Sequence, residues 1–125
     1  MDIKELNLIL TKFKICAPLF IALGDKYRQQ LIVDIIEAGK NGINVTNLSA
    51  KSKLSRPAIS HHLKVLRENK IIVPHKIGTQ IFYKINLSNK FTVLRDLINS
   101  TLSVINKIEE AENQPEEEIP ESELD

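Results

Sequence analysis

The sequence contains few of the residues that build several common kinds of site. Its 125 residues include one Cys, no Trp and only 5% aromatic residues. A single Cys excludes a disulfide framework within the chain and a Cys-rich zinc site. The shortage of aromatic side chains argues against a stacking platform for single-stranded nucleic acid. No nucleophile elbow, phosphate-binding loop or other catalytic constellation is recognisable, so we expect neither an enzyme nor a bound cofactor.

Basic residues are missing from one end of the chain. Residues 109–125 hold nine acidic and no basic residues, whereas residues 1–108 hold all 17 Lys and Arg against seven Asp and Glu. The net charge of +1 therefore hides a strongly basic body, which indicates a polyanionic partner. We expect one domain at 1–108 and a disordered acidic tail at 109–125. The tail either competes with nucleic acid for the basic body or only keeps the chain soluble.

The apolar N-terminal stretch allows two interpretations. Lys12 and Lys14 precede an apolar run at 15–23, as in a secretory signal, although nine residues are too few to span a bilayer. Apolar residues also recur at steps of three and four from Leu6 to Phe20, which favours a helix packed against another helix. We expect a cytoplasmic protein with no membrane anchor.

The first part of the chain is predicted to form two helices. The first runs from about residue 3 to 22, with Pro18 ending or kinking it. Asp25 is a candidate N-cap for the second, which extends through Gly39.

A helix-turn-helix and a hairpin follow. We predict a short strand residue at Val45, a short helix after an N-cap at Thr46, and a second helix from an N-cap at Ser55 to about Glu68. β-rich segments at 71–76 and 80–86 flank a Gly-Thr turn and predict a wing. The last helix spans residues 89 to about 112. The fold class is therefore mainly α with a small β-hairpin, a winged helix-turn-helix.

The segment LSRPAISHHLKVLRE at 54–68 resembles the helix-turn-helix of the ArsR/SmtB family of winged-helix repressors. The segments GTQIFYKI at 78–85 and ALGDKYR at 22–28 also resemble that family, and the similarity covers roughly residues 19–87. The resemblance implies a homodimer formed by the first and last helices. It also implies binding to double-stranded DNA at an imperfect palindrome in a promoter, with release of repression by a signal.

The sequence departs from the family pattern in two ways. Asn44-Val45-Thr46 stands where many members have two Cys, and residues 89–112 contain no His. The resemblance therefore implies no metal site in this chain. It leaves the inducer, a small molecule or a redox signal, unidentified. Lys53 and Lys70 stand where glycines are usual. A left-handed conformation at either residue would cost about 1 kcal/mol. At the second position, Asn69 or a shifted turn is the alternative that avoids this cost.

Polar residues of the second short helix and the wing are the candidate DNA contacts. Arg56 can bind guanine with two hydrogen bonds, Ser60 and His61 lie on the same outer face, and Lys53 and Lys64 suit phosphates. Amides at the helix start, capped by Ser55, also favour a phosphate, and His75 in the wing is a further candidate for approaching phosphates. The alternatives are a solvated helix face and an ordinary exposed hairpin. The full set is Lys53, Ser55, Arg56, Pro57, Ser60, His61, Lys64, Lys76, Thr79 and Gln80.

The candidate dimerisation residues lie at helical spacing on the first and last helices. They are Leu6, Ile9, Phe13, Cys16, Phe20, Phe91, Leu94, Ile98, Ile105 and Ile108. Cys16 is either a small apolar packing residue or a redox sensor that pairs across the dimer axis. His62 lies on the apolar face of its helix and is predicted to be packed in the core.

The sequence therefore predicts a sequence-specific transcriptional regulator. A winged-helix protein-interaction module and a weakly specific architectural DNA binder are the alternatives. The dependence of DNA affinity on salt separates these classes, because only a DNA binder shows a steep slope.

Overall fold

Five α-helices and three short strands make up the structure, a computed structural model that describes residues 2–112 and 117–124. The helices are α1 (Ile3–Leu23), α2 (Lys26–Ala38), α3 (Val45–Lys51), α4 (Arg56–Glu68) and α5 (Ser88–Ala111). The strands are β1 (Ile43–Asn44), β2 (Ile72–Ile77) and β3 (Gln80–Ile85), and short 3-10 helices lie at Gly39–Asn41 and Glu121–Glu123. This confirms the predicted winged helix-turn-helix.

The predicted hairpin is part of a three-stranded antiparallel sheet. Its strand order is β1-β3-β2, with Ile43 opposite Tyr83 and Ile77 opposite Gln80. The register leaves Gly78 and Thr79 as a two-residue turn, and Gly78 has φ +63°. Glycine adopts positive φ without strain, so the turn forms where the sequence predicts it. Pro74 lies on the edge strand β2, where its missing amide hydrogen costs no ladder bond.

The start of α3 differs from the prediction. The N-cap is Asn44, whose Oδ1 accepts a hydrogen bond from Asn47 N at 2.9 Å, and not Thr46. Val45 is the first residue of α3, and the predicted strand lies one residue earlier, at 43–44. Asn is among the preferred N-cap residues, so both candidates satisfy the local rule. Pairing of Asn44 with Phe82 on β3 accompanies the earlier start.

The main core lies between α2, α3, α4, the sheet and the end of α1. Its largest fully buried side chains are Leu19, Leu31, Ile35, Leu48, Ile59, Leu63, Leu66, Ile71 and Ile72. Burial of these aliphatic side chains holds α4 against the rest of the domain by the hydrophobic effect.

A second, smaller core lies between α1 and α5. It contains Ile9, Cys16, Leu97 and Val104, and Leu94 contacts both cores. At its margins, Lys12 Nζ donates to Ser100 Oγ at 2.7 Å and Lys107 Nζ lies 3.3 Å from Glu5 Oε1. The two terminal helices are therefore packed together within one chain.

The apolar positions of α1 divide into two rows. Ile9 and Cys16 are buried against α5 of the same chain, with 9% and 3% of their surface exposed. Leu6, Phe13 and Phe20 remain 40–45% exposed. Packing inside one chain thus accounts for the burial of Ile9 and Cys16, whereas the outer row (Leu6, Phe13 and Phe20) stays exposed.

The C-terminal ends of α1 and α5 bear on two expectations, namely the effect of Pro18 and the start of the acidic tail. Pro18 does not end α1, which continues to Leu23. α5 extends to Ala111, so the first three residues of the predicted tail at 109–125 are helical. The described residues 117–124 are exposed, and residues 113–116 lie outside the described part. The division into body and tail stays a prediction.

By length and composition alone, α1 could cross a membrane, with a mean hydropathy of 1.7 over its most apolar window. This is weak evidence, because four of its residues, Ile9, Cys16, Leu19 and Ala22, are buried against the remainder of the chain. α1 serves as a packing helix of the domain in this structure.

Lys70 adopts the left-handed conformation, with φ +57°, as the missing glycine predicts. Ile71 N donates to Leu66 O and Lys70 N to Arg67 O, both at 2.9 Å, which is the Schellman pattern that ends a helix. Lys53, in contrast, has no positive φ. The prediction of strain at Lys53 is wrong, because Ser52 Oγ accepts from Leu54 N at 3.0 Å and turns the chain without a left-handed residue.

Candidate nucleic-acid interface

Helix α4 presents one buried and one exposed face. Ile59, Leu63 and Leu66 are at most 2% exposed, which fixes the rotation of the helix about its axis. Five residues predicted to contact DNA, four of them polar, lie on its exposed side. They are Arg56, Pro57, Ser60, His61 and Lys64. An exposed helix face of this kind has the dimensions that the major groove admits.

The start of α4 offers fewer free amides than the sequence suggests. Ser55 Oγ accepts from Ala58 N at 3.3 Å, and Ser55 O accepts from Ile59 N at 3.0 Å. Pro57 has no amide hydrogen. Among the first helical residues, only Arg56 keeps an amide for a phosphate, so anion binding at this helix start depends mainly on side chains and the helix dipole.

Two lysines flank this face. Lys53 is exposed in the turn between α3 and α4. Lys64 Nζ lies 3.9 Å from Glu68 Oε1, and both side chains are more than half exposed. An exposed ion pair of this length contributes little, so Lys64 can leave it for a phosphate.

The wing brings its three predicted residues to one end of the hairpin. Lys76, Thr79 and Gln80 are exposed around the Gly78 turn. Gln80 Oε1 accepts a hydrogen bond from Asn44 Nδ2 at 2.8 Å. Because Asn44 also caps α3, this one side chain ties the wing to the helix-turn-helix.

The three histidines occupy different environments. His61 is exposed, with its ring 5.7 Å from that of His62. His62 is half-buried between α4 and α2, 5.9 Å from the ring of Tyr27, so it packs at the margin of the core and not inside it. His75 faces Phe82 at 5.9 Å, and its Nδ1 is buried with no hydrogen-bond partner among the described residues.

Arg28 connects three helices behind this face. Its Nε donates to Ala22 O and its Nη2 to Ile21 O, both at 2.9 Å, and its Nη1 lies 3.5 Å from His62 Nδ1. Gln29 Nε2 donates to Leu23 O at 2.7 Å. These bonds satisfy three of the four carbonyls that the end of α1 leaves without a helical partner. Arg28 thus fixes α1 relative to α2 and touches α4.

Asp25 is the N-cap of α2, as predicted. Its Oδ1 accepts from Arg28 N at 3.1 Å and from Tyr27 N at 2.8 Å. The hydrogen bond from Arg28 N is the main reason that the pKa of Asp25 lies below its ordinary value of 3.8. Desolvation opposes this shift, while the bond from Tyr27 N and the charges of His62 and Arg28 support it.

In the described ranges, no group of three or more His, Cys, Asp and Glu side chains is placed to hold a metal ion. At the position where the family resemblance would place a pair of Cys ligands, Asn44 and Thr46 act instead as the N-cap and an exposed residue of α3.

Sequence reasoning missed two of the residues that position this interface. Asn is a common N-cap residue, but the hydrogen bond from Asn44 to Gln80 in the wing joins residues 36 positions apart, which local sequence patterns do not predict. No local sequence pattern predicts the role of Arg28, because the acceptors of its hydrogen bonds are main-chain carbonyls of another helix.

The comparisons with known proteins agree with this geometry. Residues 33–72 match the family model described as bacterial regulatory protein, arsR family. The chain is 35% identical over 88 residues to the transcriptional repressor SdpR of Bacillus subtilis (strain 168), covering 70% of this chain and 90% of that protein. It is 30% identical to the arsenical resistance operon repressor of Staphylococcus xylosus, over 85% of each chain.

Solved structures give the same fold. An ArsR-like transcriptional regulator from Rhodococcus sp. RHA1 superimposes with a TM-score of 0.67 at 21% identity, covering 79% of this chain and 91% of that one. A possible transcriptional regulator for arsenical resistance has a TM-score of 0.54 at 29% identity, over 66% of this chain and 81% of that one. These relatives are transcriptional regulators and not enzymes. Identity of 35% over most of a relative's length, together with the exposed face of α4 and its wing, establishes that the chain belongs to the arsR family of bacterial regulatory proteins, whose members bind double-stranded DNA.

Proposed function

We propose that the chain acts in the cytoplasm as a homodimeric repressor that binds a palindromic promoter site and is released by a non-metal signal. The observation that carries the proposal is the row of exposed polar residues on α4, opposite a face that is fully buried. Because the buried face fixes the helix, the polar row stands outward on a rigid element.

We assign the DNA-contact role of each residue from its position on α4 or in the wing. Arg56, Ser60 and His61 read base edges, because they lie on the outer face of α4 near its N-terminal end. Lys53, Ser55, Pro57 and Lys64 contact the phosphate backbone beside them. In the wing, Lys76, Thr79 and Gln80 reach the adjacent minor groove.

An apolar groove between α1 and α5 supports the proposed dimer. It has a volume of about 410 Å³ and is lined by Phe13, Phe20, Leu94, Leu97, Ile98, Thr101, Leu102 and Ile105. The predicted residues Leu6, Phe91 and Ile108 are also about 40% exposed on these two helices. Contiguous exposed apolar surface is typical of association sites, which supports this groove as the dimer contact.

Selection of bound fragments from a genomic DNA pool tests the proposal directly. We expect enrichment of a site with two-fold symmetry, and a log–log slope of affinity against salt near −7 for about eight phosphate contacts. Arg56→Ala should cost about 1–3 kcal/mol on the selected site and much less on random DNA. Lys64→Ala is the matched control, because loss of a phosphate contact weakens both DNAs equally and lowers the slope by about one.

Three outcomes would contradict the proposal. Absence of any salt-dependent DNA binding would indicate a protein-interaction module. A steep slope without an enriched sequence would indicate an architectural binder. If light scattering at micromolar concentration gives the molar mass of a monomer for both the native chain and Ile98→Glu, the proposed dimer is ruled out.

We also propose that the acidic segment at 109–125 is a functional unit separate from the body, and that it competes with DNA for the basic face. The support is the segregation of charge, nine acidic residues against a body that holds every Lys and Arg. Deleting residues 113–125 should raise affinity for random DNA more than for the selected site. Equal affinities with and without the segment would leave only a solubilising role.

A further inference from the structure

A second pocket opens on the other side of α1 from the apolar groove. It has a volume of about 400 Å³, at the small end of pockets that hold organic ligands. Three elements meet there, namely the middle of α1, the end of α4 and the first turn of α5. None of the ten candidate DNA contacts lines this pocket.

The inner part of the pocket is apolar. Ile15, Pro18 and Leu19 of α1 line it together with Val93 of α5, and the buried Cys16 lies beside them. A cavity of this composition takes a hydrocarbon group, because apolar contact there replaces contact with water.

The rim of the pocket carries an excess of positive charge. Lys70 and Lys90 line it, and neither makes an ion pair with any residue in the described ranges. The opposing carboxylate, Glu68, is shared with Lys64, whose Nζ lies 3.9 Å away. The first turn of α5 adds partial positive charge, because its N-cap, Leu87, makes no side-chain capping bond.

We propose that this pocket is an effector site for a small amphipathic carboxylate, with the hydrocarbon tail against α1 and the carboxylate at Lys70 and Lys90. Two ammonium groups against one shared carboxylate leave room for one negative charge. The apolar floor excludes a purely ionic ligand, and the charged rim disfavours a neutral one.

The position of the pocket connects it to DNA binding, and this step rests on the proposed function. Lys70 follows Asn69, the C-cap of α4, and forms the turn that ends the helix, through the bonds from Lys70 N and Ile71 N. A ligand held between Lys70, α1 and α5 therefore contacts the end of α4, the proposed DNA-reading helix, and also α1 and α5, the proposed dimerisation helices. An effector changes affinity only through such differential contacts.

Sodium decanoate below its micelle concentration is the probe. Isothermal titration should give saturable binding to the full chain with a Kd of about 1 mM or tighter, as expected for a ligand of about 12 heavy atoms. Decanamide and butyrate, which lack the charge and the tail respectively, should bind at least fivefold more weakly. Lys70→Gln/Lys90→Gln should weaken decanoate binding at least fivefold, whereas Lys26→Gln/Lys40→Gln, which removes the same charge elsewhere, should not.

DNA affinity is measured separately. Decanoate at saturation should weaken binding to the selected site at least fivefold in the native chain and less than twofold in Lys70→Gln/Lys90→Gln. Equal binding of decanamide, or no effect of the two lysines, would overturn the site, and binding without a change in DNA affinity would overturn the effector role. Failure to find a selected DNA site would refute the proposed function alone, because decanoate binding is measured without DNA.

Discussion

Replacing Arg28 with Ala should destabilise the domain by about 2 kcal/mol. The substitution removes two hydrogen bonds of 2.9 Å from a guanidinium to Ala22 O and Ile21 O. Hydrogen bonds that involve a charged group contribute about 1.5–3 kcal/mol each, and the lower end applies because the side chain is only half-buried. Ile21 O keeps a bond of 3.4 Å from Gly24 N, which reduces the loss further.

Urea denaturation followed by circular dichroism at a fixed protein concentration measures this loss. Arg95→Ala is the matched control, because Arg95 is exposed and makes no side-chain hydrogen bond among the described residues. We expect that control to stay within about 0.5 kcal/mol of the native chain. Arg28→Lys should recover less than half of the loss, since an ammonium lacks the planar fork that reaches both carbonyls. If Arg28→Ala and Arg95→Ala have the same free energy of unfolding, the link between α1 and α2 contributes nothing and the reasoning is wrong.

Three further predictions concern the backbone and pH. Lys70→Gly should stabilise the domain by about 1 kcal/mol in the same assay, because glycine adopts φ +57° without strain; a loss of stability would contradict the cost assigned to this turn. Gly42→Ala should destabilise the domain by at least about 1 kcal/mol more than Gly39→Ala, since both have positive φ but only at Gly42 would a Cβ overlap the carbonyl of Tyr83; equal losses would rule out that overlap. The lowered pKa of Asp25 means that its contribution to stability is present above the ordinary value of 3.8 and is lost as pH falls through the folded value. An NMR titration of the Asp25 carboxyl should therefore give a pKa below 3.8, and Asp25→Asn should lessen the loss of stability in acid; an ordinary pKa would contradict the capping geometry.

Local rules predicted most of the elements that hold the interface. Asp25 and Ser55 cap their helices, Gly78 makes the turn of the wing, and Pro74 lies on an edge strand. Each depends on a few neighbouring residues and on steric or hydrogen-bonding preferences that hold in any fold. The left-handed conformation of Lys70 belongs to the same class.

Features that depend on distant contacts could not be predicted. The N-cap at Asn44 was displaced from Thr46 in a segment where the chain pairs with β3. The strain expected at Lys53 is a separate, local error, because Ser52 makes the turn through its bond to Leu54 N. The division of the α1 apolar residues required knowledge of where α5 lies. The rim of the second pocket combines Lys70 and Lys90, which come together only when the ends of two helices meet.

The two rows on α1 have a consequence for how the molecule can diversify. Ile9 and Cys16 are buried within the single chain, whereas Leu6, Phe13 and Phe20 are exposed, so in the proposed dimer only the outer row would contact the second subunit. If the proposed dimer forms, mutations in the outer row would change the choice of subunit, from self-pairing to pairing with a paralogue, and would leave the core of each subunit intact. In a cell that holds several such regulators, this separation would allow each to remain insulated from the others.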